Sequence, residues 1–369
     1  MNNYISQETM NQLLETRDLS NPLHGQHAIQ LLLSEITTVL KEQMQCNIQI
    51  HRKSPIVSLS DNYDLLGYPE DGASRNSKYT KYINENLILR TQTSSMIPSI
   101  MKDLSITGLD KDILMVCPGI VYRRDVIDKL HVSSPHQLDL WLVSHQIKSK
   151  NDLHLMIENI MKKLIPNLEY KLTDAEHPYT TEGVQIDVRY ANQWIEIGEC
   201  GIASRKVLGL SGMPLYGLAM GLGLDRLLMV TKGLNDIRLI RDEDPRVQSQ
   251  MLNLKKYKPV SKMPSASKDI SIAIDKNITE EEIGSIIYEN CQNHLESIEE
   301  IKVLSETNYE LLPQSAIDRM GMNHTLKNVL IRIVIRNLNK TLTMEEAKEI
   351  RNDIYHHLHK GSKSEIDYI

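Results

Sequence analysis

"GLAMGLGLDRLLMV", residues 217 to 230, is the stretch on which the fold turns. It reads as the end of a strand, a glycine turn and the start of a helix. Gly221 and Gly223 permit close approach by a ligand, and Arg226 follows at the helix start. A dinucleotide fingerprint needs a third glycine inside a strand-helix-strand unit, and both are missing. What remains is a helix N-terminus beside an arginine, a reasonable seat for phosphate oxygens.

Working outward, short apolar or alternating runs precede this stretch: "DILMVCPGIVYR" (112 to 123), "DLWLVSHQI" (139 to 147), "VQIDVRY" (184 to 190) and "QWIEIGEC" (193 to 200). They predict strands of one substantial sheet. Helical periodicity marks 27 to 44 and 152 to 165, whereas 53 to 86 is polar, rich in turn formers and expected to be largely irregular. "LNLKKYKPVSKMPSASK" (252 to 268), with two prolines and five lysines, predicts a basic linker. Beyond it the pattern runs strand, helix ("TEEEIGSIIYENCQNHL", 279 to 295), strand, strand, helix ("TMEEAKEIRNDIYHHLH", 343 to 359). That order suits a small split-βαβ sandwich. Thr279 with Glu282, and Thr343 with Glu346, have capping-box spacing.

Composition narrows the classes. The 369 residues, 41% hydrophobic and 24% charged, suit two ordinary domains, and a net charge of -6 gives no global basic field. Any nucleic-acid contact must come from a local patch. Cys46, Cys117, Cys200 and Cys291 lie far apart without a CxxC pair, which argues against a zinc site or disulfide framework and fits a reducing compartment. The polar start and the absence of any 18-residue apolar run lead us to expect a cytoplasmic protein away from membranes. His356, His357 and His359 at a helix end are expected in solvent. The chain also contains no phenylalanine, where average composition would supply on the order of a dozen.

Chemistry concentrates in "VYRRDVIDKLHVSSPHQLDLWLV" (121 to 143), expected as two strands joined by a loop and carrying Arg123, Arg124, Asp125, His131, His136, Gln137 and Asp139. Arginine presents a planar charged fork suited to phosphate, although a salt-bridged surface hairpin would use the same residues. "LRTQTS" (89 to 94, opening on Leu89), "PGIVYRRD" (118 to 125), "HQLD" (136 to 139), "WIEIGECG" (194 to 201) and "GLAMGLGLDR" (217 to 226) then follow in an order that resembles the landmarks of class II aminoacyl-tRNA synthetases, in particular the catalytic chain of the phenylalanyl branch. The resemblance covers roughly residues 20 to 250, and the C-terminal region resembles that branch's ferredoxin-like anticodon-binding domain. It implies an α+β fold: an antiparallel sheet flanked by helices, with a C-terminal ferredoxin-like α/β sandwich. The expected boundaries are 1–251 for the catalytic domain, 252–268 for the linker and 269–369 for the anticodon-binding domain, an arrangement similar to the single-chain organellar enzymes.

The resemblance also implies roles. Arg123 would hold the α-phosphate and the carboxylate, Arg226 the γ-phosphate, and both are the catalytic residues it points to. Gly221 and Gly223 leave room near the adenosine, His131 sits on a loop that contacts ATP phosphates, and Glu196 stands where an acidic residue helps to hold ATP and Mg²⁺. Ser94 and Gln137 match contacts to the polar end of the amino acid, and Asp139 the glutamate that receives its ammonium. "HPYTTEG" (177 to 183) aligns with the side-chain pocket: His177 and Tyr179 replace two phenylalanines, Thr180 matches a wall position and Ala219 the small residue that sets its depth.

The implied reaction is ATP-dependent activation of an aromatic amino acid, foremost phenylalanine, and transfer to tRNA(Phe), by a monomer or homodimer. Departures include Ile97 for glutamine, Pro135 for phenylalanine and Glu199 within a glycine-rich turn. His177 could bond a hydroxyl, which admits tyrosine or an analogue. Two other readings stand beside this one: a ligase that passes the adenylate to a non-tRNA acceptor, and a non-catalytic sensor of amino acid or tRNA. Cys200 has no activating histidine in sequence and is read as a packing thiol.

Overall fold

The computed structural model describes residues 4–124, 126, 128–260, 264–337 and 340–364. Tertiary contacts divide it into two units: the first comprises 1–123, 134–240 and 248–257, the second 124–133, 241–247 and 258–369.

In the first unit, seven strands form one sheet in the order β1-β4-β5-β9-β8-β7-β6. They are β1 (Asn47–Ile50), β4 (Ile113–Ile120), β5 (His136–Ser144), β9 (Tyr216–Gly223), β8 (Gln193–Ala203), β7 (Thr180–Tyr190) and β6 (Tyr170–Asp174). All neighbours are antiparallel except β1 with β4. A small ribbon pairs β2 (Ile56–Ser58) with β3 (Leu87–Leu89). Every residue of β4 is buried, which explains its unbroken apolar run: covered on both faces, it has no reason to alternate. β7 turns into β8 through Ala191 and Asn192, both at positive φ, the two-residue geometry that matches strand twist.

The expected helices are present at Ala28–Met44 and Lys150–Leu164, the first capped by His27, the second by a Ser149/Asp152 capping box that sequence reading passed over. Two expectations change. β4 ends at Ile120, so Arg123 and Arg124 stand beyond the strand rather than on it, and Arg123 forms an isolated bridge with Thr80. Asp125 lies outside the described residues. Gly221 and Gly223 do not make a turn; β9 runs straight through them and Gly223 is the N-cap of the Leu224–Lys232 helix.

The second unit holds a three-stranded antiparallel sheet, β10 (Ala266–Asp275), β12 (Leu326–Ile335) and β11 (Ile298–Asn308), in that spatial order. Alternating Ile270, Ile272 and Ile274 meet Val329, Ile331, Ile333 and Ile335, and the helices Glu280–Asn290 and Met344–Leu358 cover them with Ile283, Ile287, Ile350 and Ile354. Both expected capping boxes are formed. The first helix stops at Asn290, short of the expected 295, and continues as a 3₁₀ turn, Gln292–Ser297; an unanticipated helix, Gln314–Met320, precedes β12. The expected linker 252–268 is not free chain throughout. Its first part is tied to the first unit, where the buried Lys232 ammonium donates to the carbonyls of Asn253 and Lys255, and its last three residues already belong to β10. His357 and His359 are not simply in solvent, since His359 stacks on Tyr355 and accepts a bond from the Ala273 N–H.

Candidate active site

Strand register assembles the site. Across the sheet, Asp139 of β5 pairs with Gly221 of β9, which pairs with Glu199 of β8. One pleat period away, Gln137 pairs with Gly223; in the other direction Trp141 pairs with Ala219, which pairs with Gly201. Residues two apart on a strand share a face, so Gln137, Asp139, Trp141, Ala219, Gly221 and Gly223 form one floor.

The two central glycines are clear of their own protein. A Cβ at Gly221 would come no closer than 3.9 Å to Asp139 Oδ1, and one at Gly223 no closer than 3.8 Å to a carbonyl oxygen. Their neighbours differ: a Cβ at Gly198 would lie 2.4 Å from the Gly221 oxygen, and one at Gly201 would lie 2.7 Å from Thr180 Cβ. Packing therefore requires glycine at 198 and 201, whereas at 221 and 223 the absent side chain leaves open floor that a ligand can use.

Around the floor stand the charged groups. Asp139 is buried; its Oδ2 accepts from Trp141 Nε1 at 2.9 Å, and its Oδ1 has no partner. Burial pushes this carboxyl up to about 7, opposed by the neighbouring Ser94 hydroxyl, the Trp141 bond and the charge of His177. Gln137 Oε1 accepts from the Thr93 N–H at 3.3 Å. Arg226, in the first turn of its helix, donates from Nη1 to the Glu196 carbonyl at 3.2 Å and lies 4.0 Å from the Glu196 carboxylate. Burial and Glu199 raise the Glu196 carboxyl, and Arg226 and Arg123 pull it back, which brings both arginines and this carboxylate into one electrostatic group. Arg123 is anchored by Nε donating to the Thr91 carbonyl at 2.7 Å.

The apolar end is aromatic. Tyr179 stacks on Trp141 (6.0 Å, 28°), meets Tyr68 at 6.2 Å and takes His177 edge-on at 5.6 Å. Ser94 lies beside both Asp139 and Tyr179, and Ala219 packs in the same cluster. His177 pairs through Nε2 with Glu199, which raises its pKa. Thus Ser94, Gln137, Asp139, His177, Tyr179, Thr180, Glu196, Ala219, Gly221, Gly223, Arg226 and Arg123 all belong to the first unit. His131 does not: its loop, 124–133, groups with the second unit, where Nδ1 lies 2.8 Å from Asp128. Sequence reading missed Trp141, although its position two residues after Asp139 puts it on the same strand face. It also missed Tyr68, in a segment without periodicity, and Asp225, which accepts from the His136 N–H and locks β5 to the helix behind it.

Residues 15–251 match the family described as tRNA synthetases class II core domain (F). The chain belongs to the class II tRNA synthetases. Residues 261–366 of this synthetase match the ferredoxin-fold anticodon binding domain. It is 28% identical over 329 residues to the Arabidopsis thaliana chloroplastic/mitochondrial phenylalanine-tRNA ligase, covering 85% of this chain and 71% of the relative. A probable mitochondrial phenylalanine-tRNA ligase of Drosophila melanogaster is 27% identical, covering 82% and 75%. The phenylalanine-tRNA ligase alpha subunit of Teredinibacter turnerae is 29% identical, covering 66% and 73%. As a class II synthetase the chain is a ligase that uses ATP and tRNA. No helix among its described residues is long and apolar enough to cross a membrane.

Proposed function

We propose that this synthetase activates phenylalanine with ATP and transfers it to tRNA(Phe) in the cytoplasm, with residues 1–251 carrying the chemistry and 269–369 contacting the tRNA. The observation that carries the reading is the open floor over Gly221 and Gly223, bounded by the unpartnered Asp139 Oδ1 on one side and Arg226 on the other. An amino acid fits with its ammonium on Asp139, its carboxylate towards Gln137 and its ring among Tyr179, Trp141 and Ala219. Thr180 and His177 complete the wall. The carboxylate attacks the ATP α-phosphorus, and the bond to pyrophosphate breaks. Because the nucleophile is already ionised, no side-chain base is required; positioning and charge neutralisation supply the rate. Arg123 holds the α-phosphate and Arg226 the γ-phosphate. A half-exposed single carboxylate next to phosphates suits Mg²⁺, so Glu196 would hold that ion, which when bound neutralises phosphate charge. A hydroxyl at the tRNA 3′ end then attacks the acyl carbon and AMP leaves.

The His177–Glu199 pair beside Tyr179 favours a second substrate reading, a hydroxylated ring such as tyrosine. Pyrophosphate exchange with each of the twenty amino acids, followed by charging of total tRNA, tests both. Exchange with phenylalanine and charging of tRNA(Phe) is the expected result. Exchange with tyrosine alone would select the second reading, and exchange without charging would select a non-tRNA acceptor.

A further inference from the structure

Among the described residues, the second unit gathers a cluster of Cys, Asp and His side chains of metal-ligating type that the synthetase reaction does not use. The Glu280–Asn290 helix ends at the buried Cys291, and the 3₁₀ turn that follows carries His294. The Met344–Leu358 helix presents Asp353 and His357, four residues apart and therefore on one face. Cys291 Sγ lies 3.7 Å from His357 Nδ1, and the same nitrogen lies 3.4 Å from Asp353 Oδ1. The ligand atoms of these three residues all lie within 4.8 Å of one another. His294 Nε2 stands 3.7 Å from the other Asp353 oxygen.

The 3.7 and 3.4 Å separations about His357 Nδ1 have the scale of a tetrahedral coordination shell. Bonds of about 2.0 to 2.3 Å to zinc place neighbouring nitrogen, oxygen and sulfur donors roughly 3.3 to 3.7 Å apart. The sequence spacing agrees: Cys291 and His294 are separated by two residues, Asp353 and His357 by three, the short pairings that structural zinc sites use. The absence of a CxxC pair hid the pattern, because the second donor after Cys291 is an imidazole. A thiolate with imidazoles and one carboxylate suits Zn²⁺, whereas Mg²⁺ and Ca²⁺ take oxygen donors. Access is open, since a surface depression of about 450 Å³ is lined by His294 and Asp353 together with Glu349, Lys348 and Asn352.

We propose that Cys291, Asp353 and His357 bind a zinc ion, with His294 rotating from its place beside Asp353 to close the fourth position, and that the ion staples the turn after the first helix of this unit to its last helix. Binding displaces the thiol proton and requires the His357 ring proton, which at Nδ1 meets the Asp353 carbonyl at 2.9 Å, to sit on Nε2 instead. Lys348 is the cation on the rim, and Glu345 and Glu349 offset it.

Cobalt titration of the chelator-stripped full chain tests this. One equivalent of Co²⁺ should give the intense visible bands of a tetrahedral centre and a thiolate-to-cobalt charge-transfer band, both bleached by one equivalent of Zn²⁺. Cys291→Ser should remove the charge-transfer band, and His357→Asn should weaken binding at least tenfold while circular dichroism stays native. Should Cys291→Ser fail to fold, His357→Asn and Asp353→Asn carry the test, because both residues are partly exposed. Weak octahedral-type spectra, or spectra unchanged in the His357 and Asp353 variants, would overturn the site and leave the cluster as a hydrogen-bonded contact between helices.

Discussion

Asp139 shows how a single residue can serve binding at the expense of stability. Its carboxyl is buried, holds one bond from Trp141, and titrates at about 7 instead of the ordinary 3.8. The folded state therefore binds a proton more tightly than the unfolded chain, so the destabilisation is absent below pH 3.8, grows through the interval and is complete above about pH 7. Asp139→Asn should accordingly raise the melting temperature at pH 8, by a gain on the order of 4 kcal/mol at most, and change little near pH 3. The same variant should lose amino-acid activation by at least ~100-fold, the cost of removing one partner of a buried charge pair. In the parent protein KM for the amino acid should climb as pH falls below about 7, because a protonated Asp139 no longer answers the ammonium charge. Asp139 was legible as a candidate from its motif, but the unpartnered Oδ1 and the shifted titration were not, since burial arises from every strand around it.

Strand β9 and its neighbours carry five glycines of two kinds, and substitution separates them. Gly221→Ala meets nothing closer than 3.9 Å, so stability measured by denaturant unfolding should stay within about 1 kcal/mol of the parent or improve slightly. Pyrophosphate exchange should nevertheless fall at least tenfold, because the new methyl occupies the ligand floor. Gly201→Ala drives a Cβ to 2.7 Å from Thr180 and should destabilise by about 1–3 kcal/mol. An unstable Gly221→Ala, or one with full activity, would remove the floor from the argument. Sequence periodicity found these strands and the helix after them, yet it took Gly221 and Gly223 for a turn. A glycine in a strand and a glycine in a turn look alike in one dimension; only the pairing with Asp139 and Glu199 distinguishes them.

At the scale of the whole molecule, the absence of phenylalanine joins composition to function. Trp141, Tyr68 and Tyr179 supply the aromatic packing that phenylalanine would otherwise provide, so the cluster remains filled. A synthetase whose message never requires charged phenylalanine tRNA can be made while that tRNA is scarce. Replacing His177 and Tyr179 together by phenylalanine should leave amino-acid selectivity unchanged but reduce pulse-labelled synthesis of the protein during phenylalanine starvation. A switched substrate would mean that the two residues retune the pocket instead. The sequence by itself determined the main strands and longer helices, the capping boxes at Thr279 and Thr343, the order of the motifs and hence the synthetase family, because period, turn chemistry and phosphate-binding residues are local properties. The tertiary structure decided which glycines face open space, that Glu199 engages His177, that Trp141 stands beneath Tyr179, and that Cys291 meets Asp353 and His357. Those are meetings of residues distant along the chain, and only strand register and helix packing bring them together.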